Sequence, residues 1–243
     1  MKRLSSIACT GSRSKKSVAL TAFQTLIATK VPWGRYSAAS WVSGTNTLTD
    51  LTGNGRSATT SGVASGSASG NGATASIAYL GGTTTTYIQW PAGCIPATAT
   101  FASITRYATV GTKRRVLTGG SVNFIHGHYN GGRGIVYYGD RFLEQATVGT
   151  ATDWVGMVST NNAAAAFPNN VLVDGVARGI AVGGAGGTGA LPDLRINNEG
   201  FATGETSDFQ FAYLLIWDQA LTASEMATVA TALNTYLSTG VLQ

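Results

Sequence analysis

Short apolar segments separated by turn residues run through most of this chain. In residues 99–108, ATFASITRYA, Phe101 and Ser103 fall on one face and Ala102 and Ile104 on the other, which is the two-residue period of a β-strand. Similar segments read TTTYIQW, RRVLTG, VNFIHGHY, GIVYYG, DWVGMVST, NNVLVDG, LPDLRINN and DFQFAYLLIW. Short strands bounded by Gly and Asn predict an all-β sandwich or barrel, and Asp-Gly in the NNVLVDG segment predicts a tight hairpin.

The end of the chain departs from this pattern and predicts a helix. Thr222 and Glu225 have the spacing of a capping box, and Gly240 stands where a helix would end. The apolar residues that recur at helical spacing are Met226, Val229, Ala230, Leu233 and Leu237. One amphipathic helix of about four turns is not stable alone, so we expect its apolar face to pack on the sandwich.

The first 32 residues differ in charge from the rest. Seven of the 16 Lys and Arg residues lie in residues 1–35, which contain no acid, whereas residues 36–243 hold nine bases and all 11 acids. This break predicts a basic N-terminal arm, residues 1–32, outside a domain of residues 33–243. The stretch SVALTAFQTLIATK within the arm fits a short helix or an added strand. Residues 62–76, GVASGSASGNGATAS, are predicted to form a surface loop.

Two motifs resemble a known family. Asp50, Gly53, Asn54 and Gly55 occur in LTDLTGNGRSAT, and the chain closes with SDFQFAYLLIWDQALTASE. Together they resemble the laminin G-like type of the concanavalin A-like lectin and glucanase superfamily, over about residues 33–240. The resemblance implies a two-sheet antiparallel jelly roll whose last strand lies beside the first and whose short C-terminal helix plugs one end. Similar sequences occur in structural proteins of large DNA viruses and phages.

The arm and the low charge predict contacts with neighbouring subunits. Charged residues make up 11% of the chain, against a usual share of about 25%. The arm residues expected to contact other subunits are Lys2, Arg3, Arg13, Lys15, Lys16, Leu20, Phe23 and Ile27. Nucleic acid is a less favoured partner because the apolar residues of the arm need an apolar surface. The sequence contains no run of 18 apolar residues, so we do not expect a membrane-spanning helix.

Catalysis is not expected from the sequence. Glycosidases of this superfamily need two carboxylates across a sugar cleft, and the nearest pairings here join Glu205 to Glu199 or to Asp208 in a turn-rich segment. His126 and His128 would share one strand face, as metal ligands sometimes do, but no third ligand is evident. The two cysteines, Cys9 and Cys94, are not in a CxxC motif and are interpreted as free thiols.

Glycan or calcium binding is the other use suggested by the resemblance. Calcium is the family's common ligand, and the oxygen donors most like those of its sites are Asp50, Asn54, Asp174 and Asn197. Asp50 has an ordinary alternative role, which is to cap its own Gly-Asn-Gly turn. Sugar binding would use an aromatic ring, for which Trp33, Trp41 and Trp154 are the candidates. No other cofactor is expected.

The sequence therefore leaves two functional hypotheses. The first is a non-enzymatic minor capsid or capsid-associated protein that binds other capsid proteins in the virion, after assembly inside a host cell. The alternative is a lectin-like glycan-binding or adhesion module, with or without calcium. The uncharged body and basic arm favour the first hypothesis, and the resemblance alone supports the second.

Overall fold

In a computed structural model of the chain, the described residues form two antiparallel β-sheets, two α-helices and two short 3-10 helices, Ala38–Ser40 and Ser43–Thr45. The structure describes residues 21–138, 141–143, 150–161, 170–178, 182–183, 193–198 and 200–242. Helix α1 spans Ala22–Thr29 and helix α2 spans Ala223–Thr239.

The described strands, in chain order, are β1 (Gly34–Ser37), β2 (Trp41–Val42), β3 (Thr47–Leu48), β4 (Ala58–Ser61), β5 (Ala64–Gly70), β6 (Ala73–Gly82), β7 (Tyr87–Gln89), β8 (Thr100–Tyr107), β9 (Leu117–Gly119), β10 (Phe124–Tyr129), β11 (Gly132–Tyr138), β12 (Arg141–Leu143), β13 (Val155–Thr160), β14 (Val171–Val173), β15 (Val176–Ala177), β16 (Val182–Gly183), β17 (Leu194–Ile196) and β18 (Phe209–Trp217).

The strands form a sandwich of two sheets. Within the described residues, sheet A has eight strands in the order β15-β14-β13-β8-β18-β6-β5, with β1 also paired to β18. Sheet B has ten, in the order β16-β12-β11-β10-β9-β17-β7-β4-β3-β2. All of these pairings are antiparallel. The predicted two-sheet antiparallel sandwich is confirmed, and so is the last strand lying beside the first.

Strand β18 is buried on both faces, and a bulge decides which side chains face which core. Its pairing with β8 shifts register between Phe211 and Tyr213. Before the shift Phe211 points between the sheets, and after it Leu214 does, while Leu215 and Trp217 point outward to the helices. The extra residue reverses the alternation, as a β-bulge does. The strand therefore contributes large apolar side chains to two separate cores.

Helix α2 covers the outer face of sheet A, and α1 packs against α2. Helix α2 has the predicted capping box at Thr222 and ends at Gly240 in the left-handed region. Its buried residues are Met226, Val229, Ala230, Ala232, Leu233, Tyr236 and Leu237. They pack against outward side chains of sheet A, including Ile104 and Trp217. The expectation that this helix plugs one end of the sandwich is wrong, because its apolar stripe lies along the face of a sheet.

The N-terminal segment 21–32 packs on the same chain, contrary to the expectation that all of residues 1–32 lie outside the sandwich. Thr21 caps α1 in a capping box, and Phe23 is 3% exposed within the core under α2. Ile27 packs at the edge of that core. The Trp217 indole donates to the Lys30 carbonyl at 2.9 Å, and Lys30 pairs with Glu225 at 2.8 Å. The apolar side chains predicted to contact a neighbouring subunit thus contact the chain's own helix layer.

The other arm residues, Lys2, Arg3, Arg13, Lys15, Lys16 and Leu20, lie outside the described residues together with Cys9. Cys94 is a free thiol buried in the core, and burial raises its pKa to about 12. Among the described residues, no helix is long and apolar enough to cross a membrane.

The glycine-rich segment predicted as a loop forms an edge hairpin instead. Strands β5 and β6 pair from Ala64 with Gly81 to Gly70 with Ala73. Asn71 and Gly72 connect them with φ values of 50° and 83°, the backbone that a tight primed turn requires. The small Gly, Ser and Ala side chains of β5 are compatible with a strand here because β5 is the edge strand of sheet A among the described residues, where little packing is needed.

Both histidines lie between the sheets. Gly127, with φ 105°, sits at a register shift in β10 that precedes His128. The His126 Nδ1 atom is 2.9 Å from the Ser159 hydroxyl, and the His128 Nδ1 atom is 3.3 Å from that of Thr105. Burial lowers the pKa of both rings to about 3, so the fold holds both histidines neutral.

Substitution Leu233→Asp is expected to lower the free energy of unfolding by at least about 3 kcal/mol, because it places a charge at a position that is 0% exposed. Thr231→Asp, on the exposed side of the same helix, is the matched control and should change stability by less than about 1 kcal/mol. Urea denaturation of the whole chain measures both. Equal stabilities of the two variants would contradict the docked position of α2.

Acid should destabilise the fold through the two histidines. Their unfolded pKa is about 6.5, so below that pH the unfolded chain binds protons that the folded chain, with pKa values of about 3, does not. The free energy of unfolding should therefore fall by up to about 1.4 kcal/mol per pH unit for each histidine as the pH drops from 6.5 towards 3.

Imidazole NMR shifts provide the direct measurement, since the chain has only two histidines. Neither signal should titrate between pH 7.5 and 5 in the folded protein. A midpoint near 6.5 for either ring would show that this ring is not buried as described.

Candidate functional site

The four predicted calcium or glycan residues are not brought together. Asp50 is buried, and its carboxylate accepts hydrogen bonds from the backbone N–H groups of Arg35, Thr52 and Arg56 at 3.0–3.3 Å. The Thr52 hydroxyl donates to it as well, at 2.7 Å. Both carboxylate oxygens are directed at donors of the turn, so Asp50 takes the capping role.

Asn54 and Asn197 are also separate from each other. Asn54 is exposed in the turn that Asp50 caps. The Asn197 side-chain amide donates to the carbonyls of Thr83, Thr86 and Ser207, and its oxygen accepts from the Ser207 N–H at 2.8 Å. This amide therefore ties loops together. Within the described part of the chain, no group of three His, Cys, Asp or Glu side chains could hold a metal ion.

Asp174 lies in a cleft at one end of sheet A. The cleft, here called the Trp154 cleft, has a volume of about 390 Å³, within the range of small-molecule sites. It is formed by the β5–β6 turn, the residues before β13, the β14–β15 turn and the last turns of α2. Its lining residues are Gly72, Thr74, Arg133, Asp153, Trp154, Asp174, Asn234, Leu237 and Ser238.

Arg133 fixes one wall of the Trp154 cleft. This residue belongs to β11 in sheet B, yet its guanidinium donates to the Trp154 carbonyl at 2.6 Å and to the Asp174 carboxylate at 2.8 Å, both at the end of sheet A. The other Asp174 oxygen accepts from the Gly156 N–H at 3.1 Å. Asp174 and Gly175 form the predicted hairpin turn, with φ values of 52° and 80°. The two sheets are thus joined by an ion pair that is mostly buried.

Polar groups available to a ligand stand at the opening of the cleft. Asn234 is exposed on α2, and its amide has no hydrogen-bond partner among the described residues. The amide lies close to two glycines. A Cβ added at Gly175 would be 2.7 Å from the Asn234 Nδ2 atom, and one added at Gly156 would be 3.4 Å from its Oδ1 atom. Asp153 accepts from the Thr150 N–H through one oxygen only. The amide and this carboxylate together offer both donors and acceptors.

Trp154 and Leu237 supply the apolar part of the cleft. Trp154 is 1% exposed, and the Arg106 guanidinium stacks on its ring at 4.8 Å. Arg106 is close enough to Asp153 for the two charges to interact. Two guanidinium groups therefore accompany two carboxylates, Asp153 and Asp174. The charges around the cleft balance.

The other tryptophans predicted as sugar-binding rings lie elsewhere. Trp33 is half-buried under the Arg56 guanidinium at 4.5 Å, and the Trp41 indole donates to the Thr60 hydroxyl at 3.0 Å.

The carboxylates considered as a catalytic pair also have separate partners. Glu205 pairs with Arg115, and Asp208 accepts from the Thr112 N–H at 2.6 Å. Glu199 lies outside the described residues.

Sequence reasoning identified Trp154 and Asp174 but missed Asn234 and Arg133. Asn234 was visible as a polar residue beside the apolar stripe of α2, although that position usually faces solvent. Arg133 gave no signal, because nothing in the GGRGIVYYG segment shows that its arginine crosses from one sheet to the other.

Comparisons with known proteins find the fold and no sequence relative. No family model matches the sequence, and no curated protein matches it. Domain 4 of AbnA, a GH43 extracellular arabinanase from Geobacillus stearothermophilus, solved in complex with arabinotriose, matches with a TM-score of 0.55 at 16% identity, over 81% of this chain and 97% of that one. Trypanosoma rangeli sialidase in complex with the inhibitor DANA matches with a TM-score of 0.50 at 16% identity, over 85% of this chain and 33% of that one.

The chain therefore shares its β-sandwich fold with a domain of an arabinanase and with part of a sialidase. It spans nearly all of the arabinanase domain and about a third of the sialidase. At 16% identity the likeness shows the fold alone.

Removing the Asp174 carboxylate should destabilise the fold more than removing the other carboxylate of the cleft. Asp174→Ala removes the carboxylate that pairs with the Arg133 guanidinium, which is 4% exposed, and is expected to cost about 2–4 kcal/mol. Asp153→Ala removes one hydrogen bond to an exposed turn and should cost about 1 kcal/mol or less. Urea denaturation measures both. A larger loss for Asp153→Ala would contradict the bracing role of Arg133.

Proposed function

We propose that this chain is a non-catalytic, glycan-binding domain that holds a neutral oligosaccharide in the Trp154 cleft. The observation that carries the proposal is the arrangement of this cleft, in which an amide and a carboxylate with free hydrogen-bonding capacity stand beside an apolar wall.

Sugars need the combination found here. Neighbouring hydroxyls on a sugar ring both donate and accept, so a planar amide or carboxylate can bond two of them at once. Asn234 and Asp153 offer these groups. The hydroxyls of Thr74 and Ser238 already donate to the carbonyls of Ser238 and Thr235, but each can still accept from a sugar hydroxyl. Leu237, which is 7% exposed, presents only an edge to the apolar C–H face of a ring. Because the charges around the cleft balance, it should not concentrate anionic sugars.

The structural comparison supports the proposal and provides a first ligand to test. The AbnA domain is described in complex with arabinotriose, so arabino-oligosaccharides of one to five units are the first series of probes. The laminin G-like assignment, made on the motifs at Asp50 and at the end of the chain, belongs to the same proposal.

Binding without hydrolysis is the expected behaviour. Glycosidic cleavage generally needs one carboxyl group that donates a proton and another that attacks or activates water. In the cleft, both Asp174 oxygens already accept hydrogen bonds, which leaves Asp153 as the one other carboxylate among the described lining residues. Asp50, a candidate calcium ligand, caps its own turn instead. We therefore expect binding that does not depend on calcium.

The role in a virus particle remains a prediction from charge and composition. Eight arm residues were predicted to contact other subunits. Six of them lie outside the described part of the chain, and the two others, Phe23 and Ile27, pack on the chain itself. Co-purification of the chain with intact particles would test that role directly.

Asn234→Ala should weaken oligosaccharide binding by about tenfold, because it removes an amide worth about 1.4 kcal/mol in hydrogen bonds. Thr231→Ala, one turn earlier on the exposed side of α2 and outside the cleft, is the matched control and should bind normally. A glycan array of neutral and acidic sugars, run with calcium and with EDTA, selects the ligand, and calorimetry measures its affinity.

Two results would contradict the proposal. One is the absence of binding to every glycan on the array by the unsubstituted protein, and the other is unchanged affinity of Asn234→Ala for the selected ligand. Turnover of the ligand, measured as new reducing ends, would overturn the non-catalytic assignment while leaving the site in place.

A further inference from the structure

Tyr79 lies beside the Trp154 cleft on the outer face of sheet A. Its ring centroid is 6.3 Å from that of Trp154, with 49° between the two planes. The side chain is half-buried and packs at the edge of the core under the helices. A partly exposed aromatic ring therefore lies next to a residue that lines the cleft.

Two glycines make room for this ring. A Cβ at Gly66, the cross-strand partner of Tyr79 in β5, would lie 2.6 Å from the Tyr79 ring and hydroxyl, and one at Gly81 would lie 3.2 Å from the ring. The ring thus leans across the surface of β5 and β6 into space that side chains would otherwise fill. The position of the ring depends on glycine at residue 66.

Polar groups accompany the ring. Arg106, 3% exposed, donates through Nε to the Gln210 side-chain oxygen at 2.5 Å, and its Nη1 has no hydrogen-bond partner among the described residues. Arg106 also stacks on the Trp154 ring at 4.8 Å. The Arg106 guanidinium itself is buried, so its contribution at the surface is to hold the half-buried Gln210 side chain in place beside the ring.

We propose that Tyr79, with the Gln210 amide that Arg106 holds beside it, forms a second sugar subsite next to the Trp154 cleft. A neutral oligosaccharide then runs from Asn234 and Asp153, past Trp154, onto the Tyr79 ring, so the domain recognises a chain of several sugar units. This inference rests on the proposed function, which the first subsite alone would satisfy.

The test compares affinities along the arabino-oligosaccharide series, or along the length series of the neutral glycan selected on the array. For the unsubstituted protein, affinity should rise when the chain becomes long enough to reach Tyr79. Tyr79→Leu keeps an apolar side chain but removes the ring, and it should lose about tenfold in affinity for the long members and little for the shortest member that binds. Tyr79→Phe should retain the length dependence because it keeps the ring.

Gly66→Ala is a second variant that leaves Tyr79 in the chain. The added Cβ must displace the ring, so the variant should lose the same length dependence as Tyr79→Leu. Ser67→Ala, exposed on the same edge strand, is its control and should behave as the unsubstituted protein. Thermal melting of each variant checks that the fold is kept, and a length-selective loss is a result that general destabilisation would not produce.

The outcomes separate the two proposals. If Asn234→Ala weakens binding while Tyr79→Leu and Gly66→Ala bind every chain length normally, the second subsite is wrong and the proposed function stands. If Tyr79→Leu weakens the binding of short and long members equally, Tyr79 acts on the first subsite and the inference is also wrong. If no glycan binds the unsubstituted protein, both proposals fail.

Discussion

The fold depends on one strand that is buried on both faces. β18 pairs with β8 along most of its length, and with β6 and β1 on its other side. Phe211 and Leu214 fill the space between the sheets, while Leu215 and Trp217 fill the space under the helices. Each fully buried side chain of this kind contributes about 1.5–3 kcal/mol. Because one strand joins two cores, neither the helix layer nor the sandwich is a separate unit.

The helix layer also forms one side of the Trp154 cleft. α2 lies over sheet A, so its last turns reach the end of the sheet where Trp154 and the β14–β15 turn stand. Asn234 and Ser238 thereby meet residues from three other parts of the chain. Arg133 holds the far wall in place from sheet B. A rigid site built in this way loses little conformational entropy when a ligand binds.

Much of the architecture was predictable because it follows local rules. The period-two pattern around Phe101 gave the strands, Asp174 with Gly175 gave a hairpin, and the Thr222 capping box gave α2. The Gly/Ser/Ala segment was misassigned because composition favours a loop, whereas pairing with β6 and the Asn71-Gly72 turn form an edge hairpin. Phe23 was misassigned because charge placed it in an arm, although its apolar ring has a site under α2.

The candidate site was predictable only in fragments. Trp154 and Asp174 could be selected by residue type, but Asp50 and Asn197 were equally plausible and serve as a turn cap and a loop tie. The sequence by itself determined the strands, the caps and the two tight turns, since those depend on residues close together in the chain. Only the tertiary structure decided which polar residues share a cleft, because Arg133, Trp154, Asp174 and Asn234 are distant in sequence and meet through sheet pairing and helix docking, which no local pattern marks.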